Sequence, residues 1–505
     1  VGVGCARDNV SVRTIHDHVV AHLDPSGCGL LPGGEVLPDD QIDESDGGGL
    51  ARWATDRYTG RGGDALPDLI AAAVRDPAGY EPLYAALCDR TALADLDGLL
   101  DGVRDLELPA AGTRALGRRL VVESGHRAAV KVGIALLGLG LSAIDTELLL
   151  TVGRHEEFTR FVVDTVRAAH ADPEPVLLAL ARGVEGWGRI SVVECFGPDA
   201  GPEVRDWLLR GGFRNSEMDT YLAHRAATIG RLADALAAEP DEELFDAAAE
   251  IVCALVEGGP AEDIDDYPDA PLALWLLVGH LTTRAHALRH FVVAARISEF
   301  LTGPGWDERY TRGWDLARHD ALVRRCRDLM AEPRWRDLTL RDLDAADDRV
   351  HQDADYAARV LGIDRFPATV RRIRATPTDA DWLSLMSQAT TTRLPAILDL
   401  ASAALPLAAL STGPTDIAAV GDRLSAHMVL GTVVTGLRDF PGHGTDFVLA
   451  ALRCPVTRNR VMATRTLTGW GPETWDPEVQ SALRQAVAEE PDPTVRESMS
   501  QLLTS

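Results

Sequence analysis

Residues Asp172 to Leu236 read DPEPVLLALARGVEGWGRISVVECFGPDAGPEVRDWLLRGGFRNSEMDTYLAHRAATIGRLADAL, and this stretch decides the fold. Turns of a few residues separate apolar segments of helical spacing, and no segment alternates as a strand would. Asp172 and Pro173 predict a helix start, the aspartate as cap and the proline in the first turn, where its missing N–H costs nothing. The same pair recurs at Asp476-Pro477 and Asp492-Pro493. Val204, Trp207 and Leu208 share one stripe, and Met218, Tyr221, Leu222, Ala226 and Ile229 the next, at spacings of three and four. Short helices with one apolar stripe bury it only against their neighbours. The expected fold is therefore all-α, an α-solenoid of HEAT-like helix pairs.

Outward from this stretch the pattern persists. Phe158, Phe161, Val162, Thr165, Val166 and Ala169 keep the spacing of a buried helix face. Four parts are expected. Residues 1–49 form a loosely ordered acidic, Gly-rich arm with one helix around Val12 to Leu23, and 50–258 an N-terminal helical-repeat array. Residues 259–338, carrying Trp306, Trp314 and Trp335, form a linker and irregular helical segment, and 339–505 a C-terminal array. The run of Gly, Pro and acid from Glu257 to Pro271 marks the expected sub-domain boundary. Leu177 to Ile190 aligns without gaps on Val448 to Val461, setting Arg182 on Arg453 and Arg189 on Arg460, as repeated helix pairs would.

Composition narrows the function. The 505 residues carry a formal charge of -27, which repels phosphate backbones and disfavours nucleic acid as a partner. Lys131 is the one lysine in an arginine-rich chain. The seven cysteines form no C-x-x-C pair, so neither a disulfide framework nor a zinc ribbon is expected. The first residues lack a basic start before an apolar run, which leads to the expectation of a cytoplasmic protein. The apolar run from Val132 to Ala143 is too short for the roughly 20 residues that cross a bilayer.

The segment GRHEEFTRFVV from Gly153, GWGRI at Gly186 to Ile190 with Val193-Glu194 after it, and WLLRGGFRNSEMDTYLA from Trp207 carry a resemblance. They resemble an uncharacterised bacterial family of HEAT-like helical proteins, some members of which bear the label limonene hydroxylase. The resemblance spans about Ala129 to Leu255 and implies the helical-repeat fold. It brings no catalytic residues with it. The label implies a monooxygenase, and oxygen activation calls for haem, flavin, copper or non-haem iron. No haem-thiolate loop and no two-His-one-carboxylate spacing stands in the chain.

Other chemical signals compete with structural explanations. Gly138-x-Gly140-x-x-Ala143 follows an apolar run like a dinucleotide fingerprint, but alternating strands and crossover helices are missing, so helix packing explains it. His18 and His22, one helical turn apart beside His16 and Asp17, are the metal-ligand candidates, though a zincin would need glutamate where Val19 stands. His286 and His290 share a second helix face. His155, Glu156 and Glu157 open an amphipathic helix, where acids and caps belong.

Trp187, Arg189, Glu194, Trp207, Arg210, Arg214 and Asn215 form the candidate binding surface, because tryptophan and arginine serve most often as interface anchors. The competing structural account has the tryptophans filling gaps between helices, Arg189 pairing with Glu194 or a carbonyl, and Asn215 ending or capping a helix. The expected function is a non-enzymatic scaffold or protein-binding module with no cofactor. The alternatives are a monooxygenase and a helical-repeat enzyme acting on nucleic-acid bases.

Overall fold

The computed structural model describes residues 14–40, 66–88, 96–140, 142–415 and 425–504, and among them every regular element is a helix. One isolated bridge joins Leu23 to Leu30. The described residues form two compact units, one ending at Leu338 and the other starting at Thr339.

The first unit opens with α1 (Ile15–Ala21), α2 (Leu66–Arg75), α3 (Tyr80–Cys88) and α4 (Leu96–Asp105). Helix pairs follow: α5 (Ala110–Glu123) on α6 (Arg127–Leu137), α7 (Ala143–Val152) on α8 (Glu156–Ala169), and α9 (Glu174–Gly183) on α10 (Gly186–Val193). Next, α11 (Pro202–Trp207) runs into a π-helical turn at Leu208–Gly212 before α12 (Thr220–Ile229). Then come α13 (Leu232–Ala237), α14 (Glu242–Glu257), α15 (Ala270–Arg284), α16 (Leu288–Thr302), α17 (Trp306–Thr311) and α18 (Leu316–Met330). Helix α19 (Arg334–Asp342) contains the division between the units.

One consequence of the apolar stripes is an order of contact. Helices α6, α8, α10, α12, α14, α16 and α18 each touch the next of that series. Helix α8 buries Phe158, Val162, Thr165 and Val166, and α14 buries Phe245, Ala248, Ile251, Val252 and Leu255. Each such Val, Leu, Ile or Phe contributes about 1.5–3 kcal/mol when fully buried. Helices α5 and α6 approach backbone to backbone. A Cβ at Gly117 would lie 2.9 Å from the Gly133 oxygen, and one at Gly133 2.8 Å from the Gly117 oxygen.

In the second unit, α20 (Asp348–Val360), α21 (Phe366–Ala375), α22 (Asp379–Ser387), α23 (Leu394–Ala404) and α24 (Leu407–Leu410) precede α25 (Ser425–Gly436) and α26 (Thr445–Leu452). Helices α27 (Thr457–Trp470), α28 (Pro477–Glu489) and α29 (Pro493–Leu502) complete it. Here α22, α25, α27 and α29 touch in succession around Trp382, Leu430, Phe447, Leu467 and Met499.

The cap signals hold in two places of three. Asp476 accepts from the Val479 amide at 2.8 Å, and Asp492 from Thr494 and Val495 at 2.8 and 3.0 Å. Asp172 does not cap: Pro173 already has helical angles, φ -79 and ψ -18, and takes the boundary position itself without a side-chain bond. Gly138 is the C-cap of α6, and the run before it is buried helix rather than strand.

Residues 259–338, expected as linker and irregular helix, carry α15 to α18. The run 257–271 lies within the first unit, where α14 and α16 touch across it. Ile264 and Tyr267 are buried in that run, and the Tyr267 hydroxyl accepts from the Ala233 amide at 3.3 Å. Trp335 is fully buried and donates its indole N–H to the Leu329 carbonyl at 2.7 Å. No helix among the described residues is long and apolar enough to cross a membrane.

The aligned arginines make the same contact. Arg189 donates through Nε to the Val184 carbonyl at 2.9 Å, and Arg460 through Nη1 to the Pro455 carbonyl at 2.8 Å. Each reaches five residues back to the turn before its own helix, and the ungapped match sets Val184 on Pro455.

Candidate functional site

The turns within successive helix pairs of the first unit carry most of its buried polar chemistry. Residues 14–40, read from composition as part of a loosely ordered arm, lie against three of these turns. The rest of that arm lies outside the described residues. Thr14 caps α1 through its hydroxyl, and the Ile15 amide donates to the Ser124 carbonyl at 2.9 Å. Arg127 then holds Asp39, Asp40 and Glu157, with Nη2 3.1 Å from Asp39. Burial raises the Asp39 carboxyl, but hydrogen bonds from the Arg127 side chain and amide outweigh it and hold its pKa below the usual carboxylate range.

At the second turn, His155 accepts the Glu157 amide at Nδ1, 3.1 Å away, and Nε2 lies 3.3 Å from the Glu35 carbonyl. Those partners require a neutral ring with its proton on Nε2. Burial, reinforced by the nearby Arg127 charge, lowers the His155 pKa to about 4. Glu157 pairs with Lys131, the single lysine, which is buried. The expected cap role of this acidic start is thus filled by His155, while Glu157 turns inward.

The third turn takes main chain directly. Gly29 N–H donates to the Gly183 carbonyl at 2.9 Å, and Arg154 Nη1 to the Gly27 carbonyl at 2.6 Å. Cys28 Sγ lies 3.1 Å from both Glu185 Oε1 and Arg189 Nη2. Burial and the Glu185 carboxylate push the Cys28 thiol up to about 11, so it stays protonated at neutral pH.

Beyond it the fourth turn is left open. Arg189 Nη1 donates to the Arg214 carbonyl at 2.6 Å and Asn215 Nδ2 to the Gly186 carbonyl at 2.9 Å, fixing the third and fourth turns side by side. Asn215 Oδ1 accepts the Glu217 amide at 2.7 Å. Gly186 has φ +58, and a Cβ there would sit 3.7 Å from Glu217 Oε1 and 4.0 Å from Glu156 Oε2. Both carboxylates, with Ser216 Oγ at 3.5 Å, thus approach the buried backbone of Gly186. Although Glu156 keeps solvent-accessible surface, the protein crowding around its carboxyl, with Glu217 and Glu157 nearby, pushes its pKa up to about 7. Trp187 and Tyr221 lie alongside, ring centroids 5.1 Å apart.

Of the residues expected at a binding surface, Trp187, Arg189, Arg214 and Asn215 come together here. Arg189 is 7% exposed and spends its donors on carbonyls, Glu185 and Cys28, so it shapes the site from beneath. It does not pair with Glu194, which is exposed at the C-cap of α10. Arg214 binds Glu250 at 2.7 Å. Trp207 packs against Phe196, centroids 6.5 Å apart, and over Gly212. Arg210 is taken by Asp206, Asp241 and Glu243.

The metal-ligand candidates have other partners. His18 Nε2 lies 3.1 Å from the Gly34 carbonyl and His22 Nδ1 2.8 Å from the His18 carbonyl. His290 accepts the His286 amide and bonds Asp246 at 2.8 Å. Among the described residues no group of three His, Cys, Asp or Glu has the geometry to hold a metal ion.

Sequence reasoning read Glu156 as a helix-start acid and Tyr221 as part of an apolar stripe, and did not single out Glu217. Glu156 and Glu217 are 61 positions apart and meet only through tertiary packing, in which the Arg189–Arg214 and Asn215–Gly186 bonds hold the third and fourth turns together. Comparisons with family models, curated proteins and solved structures give no match to this chain.

Proposed function

We propose that this chain is a non-enzymatic scaffold of stacked HEAT-like helix pairs that binds another protein along its row of inter-helix turns. The observation that carries this reading is the docking of the main chain of residues 27–29 against the second and third turns. Gly29 donates to Gly183 and Gly27 accepts from Arg154, which is how an irregular or extended segment is held irrespective of its side chains. Beside it, Glu156, Glu217, Trp187 and Tyr221 gather around the Asn215–Gly186 bond. Carboxylates beside aromatic rings suit a cationic side chain on the incoming segment. The charge of -27 favours such a partner over a polyanion.

A photo-crosslinking residue placed at Tyr221 in cells tests this. The expected result is one reproducible protein adduct, abolished by the double change Glu156→Gln and Glu217→Gln with helicity unchanged. Adducts that are indifferent to those changes contradict the reading. Stoichiometric haem, flavin, iron or copper in the purified protein would contradict it too and would support the monooxygenase alternative.

A further inference from the structure

Helix α15 is apolar on two sides. Ala273, Leu274, Leu277, Val278 and Leu281 are buried in the first unit. A second row, Leu272, Trp275 and Gly279, recurs at three and four and is only partly covered by the chain: Leu272 is 42% exposed, and Trp275 and Gly279 are half-buried. A helix apolar all round is normally covered all round. At Gly279, in mid-helix, a Cβ would meet nothing within 4 Å, so another backbone has room to approach closely.

The neighbouring α18 gives this row a charge. The guanidinium carbons of Arg318 and Arg325 lie 5.7 and 4.2 Å from the centre of the Trp275 ring. Acidic residues outnumber Lys and Arg by 77 to 50, yet Arg318, Arg324, Arg325 and Arg327 have no carboxylate partner among the described residues. Arg309, Arg312 and Arg334, just before and after α18, each have one. Arginines stacked on tryptophan with free donors beside an apolar row are the composition of an interface centre.

We infer that α15 and α18 form a docking surface for an acidic amphipathic helix of a partner protein. Its apolar stripe covers Leu272, Trp275 and Gly279, and its carboxylates meet Arg318 and Arg325. A nucleic acid fits less well, because a phosphate backbone leaves the apolar row of Leu272 and Trp275 uncovered. This surface does not use the turn residues around Gly186.

The test is fluorescence anisotropy on the full chain with a labelled 18-residue helix of Leu, Glu and Ala, leucines at positions i, i+3, i+4 and i+7. The same peptide with Lys for Glu and an 18-nucleotide single-stranded DNA serve as comparisons. Saturable binding of the Glu peptide alone, weakened by salt, is expected. Affinity should fall about tenfold or more in Arg318→Glu/Arg325→Glu. Gly279→Gln should bind equally poorly while melting no lower than the wild type, since its side chain projects into open space. No binding of the Glu peptide, equal binding of the Lys peptide, tighter binding of DNA, or retained affinity in either variant overturns the inference. Trp187→Ala should leave this binding unchanged, which separates its failure from failure of the turn site.

Discussion

Replacing Arg460 with alanine should loosen α27 far more than a surface substitution would. Arg460 and Glu490 are 0% and 1% exposed, and Nε and Nη2 of the arginine each lie 2.7 Å from a Glu490 oxygen. Nη1 also serves the Cys454 and Pro455 carbonyls at 3.0 and 2.8 Å. Removing one partner of a buried pair costs about 3–5 kcal/mol, because the remaining charge is left without compensation. At 1.36 kcal/mol per factor of ten, that corresponds to opening favoured by roughly 10²- to 5 × 10³-fold. Hydrogen exchange of the 457–470 amides in the intact chain reads this locally, without requiring both units to unfold together. Arg460→Met with Glu490→Gln should recover most of the protection, since no charge then remains buried. A change under about fivefold in Arg460→Ala would refute the idea that this pair holds the turn.

Three further outcomes follow from the titrating groups and from Gly279. His155 is neutral and buried with its pKa lowered from 6.5 to about 4, so the unfolded chain binds the proton first and stability falls as pH drops through that window. The loss is at most about 3 kcal/mol, and a His155→Gln variant should show a flatter melting profile between pH 6.5 and 4. Asp39 works at lower pH: its depressed pKa adds stability above the ordinary value of 3.8 that is lost as pH falls through the folded value, and Asp39→Asn should raise exchange across 14–40 at neutral pH. Gly279→Ala fills open space within α15 and should stabilise the chain by about 0.5–1 kcal/mol in thermal melts.

The helices were legible because their signals are local. The stripe of Phe158, Val162 and Val166 and the caps Asp476 and Asp492 each need only neighbouring residues. The match of Arg189 to Arg460 was legible as spacing, and its shared carbonyl contact gives the spacing a cause. Residues 14–40 were not legible as ordered, since their anchors Arg127, His155, Gly183 and Arg189 lie roughly 90 to 160 positions away and Gly-rich composition hides them. The pairing of Glu156 with Glu217 is likewise tertiary. Arg210 and Trp207 looked like anchors by residue type alone, whereas the structure gives them partners within the chain.

Native mass spectrometry of the protein purified under mild conditions bears most directly on the scaffold reading. A scaffold predicts a colourless chain carrying a polypeptide that dissociates when Glu156 and Glu217 are both changed to glutamine. A stoichiometric haem, flavin, iron or copper adduct, with no polypeptide sensitive to those two changes, would contradict it.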